Sequence, residues 1–134
     1  MFINFSNHPS GGWDEAQLLA ARARGGRLVD LAFPIVPPEA GEAEVEALAE
    51  DYTDRILALL DGDEADADAD ADKADADADN VVHVMGELTL THAVVSRLLD
   101  EGVRCVASTT RRDVAVMPDG TKVSRFHFVR FRDY

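Results

Sequence analysis

The chain has 134 residues, one cysteine, and 13 Lys+Arg against 26 Asp+Glu for a formal charge of −13. That length suits one domain, a 46% hydrophobic fraction suits one buried core, and no apolar run reaches the roughly 18 residues of a membrane helix. The opening MFINFSNHPSGGW has neither the basic start nor the apolar stretch of a secretory signal. The lone Cys105, in VRCVAS, reads as a buried thiol in a reducing cytoplasm.

Strand and helix signals then alternate. Residues 1–6 (MFINFS) are β-rich and end in the turn formers Asn7, His8 and Pro9. Residues 13–24 form an Ala/Leu-rich helix stopped by Gly25-Gly26. RLVDLAF, residues 27–33, is a second strand cut off by Pro34. After Pro37-Pro38 comes a long helix, with Val45, Leu48, Ala49, Tyr52, Ile56, Leu59 and Leu60 at 3.6-residue spacing.

Residues 61–79 read DGDEADADADADKADADAD, with ten acidic residues and one Lys. Alternating Asp and Ala has no apolar face at either period, and its like charges repel, so a disordered insertion is expected. A calcium loop is the alternative, and it fails in detail. Counted from Asp66, position six is Ala71 where Gly is needed, and position twelve is Asp77 where Glu is needed.

VVHVM, residues 81–85, is a nearly all-apolar third strand, as expected when both faces are covered. Gly86-Glu87 turns the chain into a helix over residues 90–101, stopped by Gly102. RCVAS, residues 104–108, is the fourth strand. DVAVM and TKVSRFHFVRF then flank Pro118-Asp119-Gly120, a hairpin signal. Phe126, Phe128 and Phe131 cannot share a face by simple alternation, so a bulge is expected near Val129-Arg130. The pattern predicts one α/β domain with an open, mainly parallel sheet and a C-terminal antiparallel β-hairpin.

Ligands of open α/β sheets bind beyond the carboxyl ends of the strands. That rule selects three loops: residues 6–10 with Asn7, His8 and Ser10; residues 86–89 with Gly86 and Glu87; and residues 108–112 with Ser108, Thr109, Thr110, Arg111 and Arg112. Hydroxyls, guanidinium forks and a helix N-terminus beside Gly86 suit a phosphate. The local charge agrees, since six basic residues stand against three acidic ones from Ser108 onward. There is no P-loop, dinucleotide fingerprint, C-x-x-C, H-E-x-x-H or nucleophile elbow. His8 reads as a phosphate donor or acid, or as a turn residue; Glu87 as a base or ribose contact, or as a helix cap. His83 reads as a satisfied core residue, and Trp13 as packing for the first helix ahead of base stacking. Arg111 and Arg112 are ligand contacts, or else a solvated basic turn.

The stretch MGELTLTHAVVSRLLDEGVRCVASTTRRDVAVMPDGTKVSRFHFVRFRDY resembles the C-terminal half of small CRISPR-associated proteins of type III systems. The shared features are a G-E/D turn, a helix, a strand ending in T-T-x-R, a D-G hairpin and a terminal F-x-H/F-V-R-F-R-x-Y. The opening FINFSNHPS, with Trp13 and Gln17, is similar to the start of the same group. The resemblance implies a CARF-like, Rossmann-like fold that binds cyclic oligoadenylate as a homodimer, with the ring across the two-fold axis. It further implies a ring nuclease that ends antiviral signalling without metal or other cofactor.

Carried over, the catalytic candidates are Glu87, His8 and Arg111. The ligand-binding candidates are Asn7, Ser10, Gly86, Ser108, Thr109, Thr110 and Arg112. In such an enzyme each ribose 2′-hydroxyl attacks the adjacent phosphate in line, and the protein orients the ribose and stabilises the phosphorane. Arg111 and Arg112 would stabilise charge, Ser108 and Thr109 would position phosphate oxygens, and Glu87 or His8 would move the proton. No membrane and no duplex nucleic acid is expected as partner. Two alternatives stand beside this reading: a non-catalytic sensor or sponge for the ring, and a nucleoside transferase with Glu87 as nucleophile.

Overall fold

A computed structural model of the chain describes residues 1–69 and 79–134. Its sheet contains β1 (Phe2–Ser6), β2 (Leu28–Ala32), β3 (Val81–Met85), β4 (Arg104–Val116) and β5 (Lys122–Asp133), in the order β2-β1-β3-β4-β5. β1 to β4 run parallel, and β5 returns antiparallel to β4. Three helices connect them: α1 (Glu15–Gly25), α2 (Glu42–Ala69) and α3 (Leu88–Asp100). The expected mainly parallel sheet with an antiparallel C-terminal hairpin is present. No helix among the described residues is long and apolar enough to cross a membrane.

Period-2 alternation divides the strands between two cores. Ile3, Phe5, Val82, Val84 and Cys105 face α2 and α3, where they meet Ile56, Leu60, Leu90 and Leu98. Phe2, Val81, Val106 and Phe131 face the other way, against Ala21 of α1. Burial pushes the Cys105 thiol up to about 12, so it packs as an inert apolar group. α1 starts on Asp14, whose carboxylate accepts from Gln17 N at 2.8 Å. It ends at Gly26, whose φ of +68° needs glycine. Gly25, one residue earlier, is a close approach, because a Cβ there would lie 2.6 Å from Phe2 N.

Two expectations are corrected here. The Asp/Ala segment was expected to leave the helix at residue 61, yet residues 61–69 continue α2. Extending an existing helix needs no new nucleus, and alanine is the best helix former. Residues 70–78, the remainder of that insertion up to Asp79, lie outside the described residues. The second correction concerns residues 108–112, which are not a loop. β4 runs unbroken from Arg104 through Arg112 to Val116. β-branched Thr109 and Thr110 favour extended backbone, and β5 pairs with them across the whole stretch.

The expected bulge is present. Thr109 pairs with Arg130 but Thr110 pairs with Phe128, which leaves Val129 as the extra residue. Because of it Phe128 and Phe131 meet on the α1 side, with ring centroids 4.8 Å apart. Phe131 is buried, and Phe128 packs against the same cluster.

Candidate functional site

The site begins with three polar residues at the centres of strands that are mostly apolar. Asn4 is the third residue of β1, Asp30 the third of β2 and His83 the third of β3. The parallel register sets them side by side, Asn4 opposite Asp30 on one flank and His83 on the other. All three lie on the α1 face, toward the carboxyl edge and beyond the apolar row of Phe2 and Val81. There they form one chain of hydrogen bonds. Asn4 Nδ2 donates to Asp30 Oδ1 at 2.7 Å and to the His8 carbonyl at 2.9 Å. Ser6 Oγ donates to Asn4 Oδ1 at 2.7 Å, and His83 Nδ1 lies 2.9 Å from that oxygen. His83 Nε2 faces Ser108 Oγ at 3.2 Å.

This network determines which atoms carry protons. Asn4 Nδ2 meets a carboxylate and a carbonyl, both acceptors, so the amide has one orientation. Its Oδ1 must then accept from His83, which puts the imidazole proton on Nδ1 and leaves Nε2 as an acceptor. Ser108 Oγ–H is the donor to that nitrogen. The imidazole itself is buried, packed edge-on against Trp13 at 5.5 Å and Phe131 at 5.4 Å. Burial, with a smaller effect from nearby His8, lowers its pKa to about 4. At neutral pH His83 is an uncharged base whose tautomer is set by its neighbours.

The sequence-selected residues fall around this row. Asn7 and His8 are exposed at the tip of the turn after β1, and Asn7 N donates to Met85 O across to β3. The His8 carbonyl collects donors from Asn4 Nδ2 and Trp13 Nε1, and His8 N donates to Ser6 Oγ at 3.1 Å, which pins the turn over the network. Ser10 is committed to Asp30, with its hydroxyl 2.8 Å from Oδ2. Trp13 packs on Phe2 and His83, as its packing reading expects. Gly86 is a packing position, since a Cβ there would fall 2.5 Å from the Phe33 ring.

Glu87 caps α3. Its carboxylate accepts from Leu90 N at 2.8 Å, Thr89 N at 3.1 Å and Thr89 Oγ1 at 2.7 Å. The Leu90 N–H, followed by the Thr89 hydroxyl and N–H, holds the carboxyl below the usual carboxylate range. The anion seat expected at this helix N-terminus is therefore filled by the chain's own carboxylate. Replacing Glu87 with Ala should lower the melting temperature by a few degrees, because it frees two helix N–H groups. An unchanged melting curve would deny the cap.

Ser108 stands half-buried at the rim, where pairing of β4 with β3 ends at His83 and Val106. Beyond it β4 and β5 continue as a two-stranded arm rising past the carboxyl edge. Thr109 Oγ1 donates to Arg130 O at the arm's base. Thr110, Arg111 and Arg112 follow, all exposed. Successive strand residues point to opposite faces, so Arg111 and Arg112 do not share a side. Arg112 lies on the Ser108 side and donates to Ser124 Oγ at 3.0 Å. Arg111 lies on the other, with Asp113 and His127, which are 3.2 Å apart.

Sequence reasoning missed Asp30 and Asn4 and read His83 as core only. The signal was there, a polar residue at the centre of each of three mostly apolar strands. A separate groove of about 650 Å³ runs between α2 and α3, lined by Val45, Leu88 and Ala93, with the Glu46–Arg97 ion pair beside it. It lies away from the polar row.

Fold and site together define a mixed α/β protein whose sheet carries a hydrogen-bonded polar row to its carboxyl edge. The chain belongs to the uncharacterized protein MJ1673 family, whose model matches residues 1–132. No curated protein and no solved structure matches it.

Proposed function

We propose that this chain is a CARF-like, Rossmann-like protein of the small type III CRISPR-associated group, which binds and cleaves cyclic oligoadenylate in the cytoplasm. One observation carries the reading. The strand order reverses between β1 and β3, and at that switch the turn bearing Asn7 and His8, the rim hydroxyl of Ser108 and the basic arm converge on one edge. Such a crevice is where open α/β sheets take nucleotides. The resemblance through the T-T-x-R stretch and the terminal FHFVRFRDY supports the same ligand.

Arg112, on the Ser108 side of the arm, contacts the phosphate while Arg111 adds to the arm's positive charge from the other face, and exposed His8 gives a proton to the departing 5′-oxygen. Incubating the protein with cyclic tri-, tetra- and hexa-adenylate in EDTA tests this. The expected products carry a 2′,3′-cyclic phosphate and a 5′-hydroxyl. Tight binding without cleavage would make the protein a sensor or sponge, and no binding of any ring would end the proposal. Replacing Arg111 and Arg112 together with Ala should weaken binding about tenfold or more, as expected when one charge-assisted contact is lost. Wild-type affinity in that variant would remove the arm from the site.

The working form in this reading is a homodimer. The arm is exposed on both sides, and one side carries Phe126 at 66%, Val114 at 52% and Val116 at 68% exposure. A two-stranded ribbon is marginal alone in water and gains from a covering surface. The arm is basic, whereas the rest of the chain holds seven basic residues against 23 acidic ones. A second copy therefore offers the opposite charge. Light scattering should give twice the chain mass at micromolar concentration, and Phe126→Lys should shift it to monomer. A monomeric wild type, with and without ring, would refute the dimer.

A further inference from the structure

We infer that Ser108 is a catalytic acceptor for the attacking ribose 2′-hydroxyl, with His83 behind it as the proton store and Asn4 as the residue that positions His83. The inference deepens the proposed cleavage of a ribose-containing ring and rests on that reading. It also changes the role expected for Ser108, from phosphate donor to hydroxyl acceptor.

Hydrogen-bond polarity sets the role of Ser108. A serine hydroxyl has one proton and two lone pairs. Ser108 Oγ faces His83 Nε2 at 3.2 Å and Met85 Sδ at 3.0 Å, and both are acceptors in this tautomer. The ring nitrogen is the stronger acceptor of the two, so it takes the proton. Among the described residues no donor reaches the Ser108 lone pairs, and the residue stands at the open rim of the edge. A group bound there has to bring a proton. A phosphate diester oxygen has none, whereas a ribose hydroxyl has one.

The chemistry balances without any further reagent. The 2′-hydroxyl proton passes to Ser108 Oγ while the Ser108 proton passes to His83 Nε2. The 2′-oxygen forms its bond to phosphorus, the P–O5′ bond breaks, and the 5′-oxygen takes a proton from His8, which solvent then replaces. His83 then returns its proton to solvent, so one proton has moved from the 2′- to the 5′-oxygen. Asn4 keeps the acceptor nitrogen aimed outward, because Nδ1 faces the amide oxygen Asn4 Oδ1 at 2.9 Å, which has no proton to give, so Nδ1 must be the donor. Asp30 holds Asn4 in turn, as an anionic acceptor for its amide.

Two measurements on the full chain test this. In the first, Ser108→Ala and Ser108→Thr are compared with wild type for ring binding and single-turnover cleavage. Ser108→Ala should cleave about 100-fold more slowly or worse, the usual scale for a lost proton-transfer group, while ring affinity stays within about threefold. Ser108→Thr should recover most of the rate, because it restores the hydroxyl. Cleavage by Ser108→Ala at the wild-type rate overturns this inference and leaves the proposed function standing. Failure of the wild type to cleave any ring overturns both. The second measurement is the nitrogen NMR spectrum of His83, which should show a protonated Nδ1 and a bare Nε2. A protonated Nε2 would reverse the polarity at Ser108 and refute the assignment whatever the kinetics give.

Discussion

Phe131→Ala is expected to cost about 3–5 kcal/mol, the range for truncating a buried aromatic. In a chain of this size that is roughly 10–20 °C in melting temperature. Phe131 is 2% exposed and touches both halves of the α1-side core. Its ring lies 5.0 Å from Phe2, 6.1 Å from Trp13 and 5.4 Å from His83 by centroid. It is also the outermost fully buried anchor of β5, so its loss loosens the arm from the body. The bulge at Val129 exists to bring this ring inside. Urea and thermal unfolding should show the effect, with Leu19→Ala, at a position 58% exposed, staying within about 0.5 kcal/mol of wild type. Equal small losses in the two variants would mean that Phe131 is no anchor.

How far the fold could be read from the residues depends on how local each signal is. β1, β2 and β3 are short apolar runs between turn formers, and their parallel arrangement follows from the helices between them. The bulge was legible from the odd spacing of Phe128 and Phe131, because period-2 alternation leaves no other way to bury both. The path of β4 was not. Ser108 to Arg112 is polar, and polarity alone cannot separate a loop from a ribbon exposed on both faces. Only the pairing with β5, supplied by residues 14 to 23 positions away, keeps that stretch extended. The Asp/Ala segment failed for a related reason. Its composition speaks against burial, but residues 61–69 need no burial when a formed helix precedes them.

The site was half legible, and the missing half lay inside the strands. The strand-end rule found His8, Ser10 and Ser108 because it concerns loops and rims. It passed over Asn4, Asp30 and His83 because a polar residue within a strand has no local meaning. Their significance comes from register: each is third in its strand, and the parallel pairing of β2, β1 and β3 lines the three up. Glu87 shows the converse. The sequence allowed both a base and a cap, and the α3 N–H groups at 2.8 and 3.1 Å select the cap. A carboxylate engaged on both oxygens is poorly placed to serve as a nucleophile, which weakens the transferase alternative.

The second large effect is a loss of stability in mild acid that disappears in His83→Gln. An unfolded histidine takes up a proton near pH 6.5, whereas His83 in the folded chain resists until about pH 4, because burial disfavours the imidazolium. Between those values the unfolded state binds more protons than the folded one, so stability falls as pH falls. Each pH unit in that window costs about 1.4 kcal/mol, so the loss at pH 5 is about 2 kcal/mol relative to pH 7. The carboxylates of Glu87, Asp119 and Asp133 are held below their usual range. They lose stability in the same direction, but chiefly below pH 4 to 4.5 where unfolded carboxylates titrate. Wild type and His83→Gln share those groups and the acidic segment, so the difference between the two isolates the imidazole. Urea unfolding at pH 7, 6 and 5 should show the wild-type advantage shrinking by about 2 kcal/mol. Parallel curves would mean that His83 titrates normally in the folded chain. An advantage that grows toward acid would mean that the folded chain holds His83 as the cation, and a cation with both nitrogens protonated cannot take the Ser108 proton.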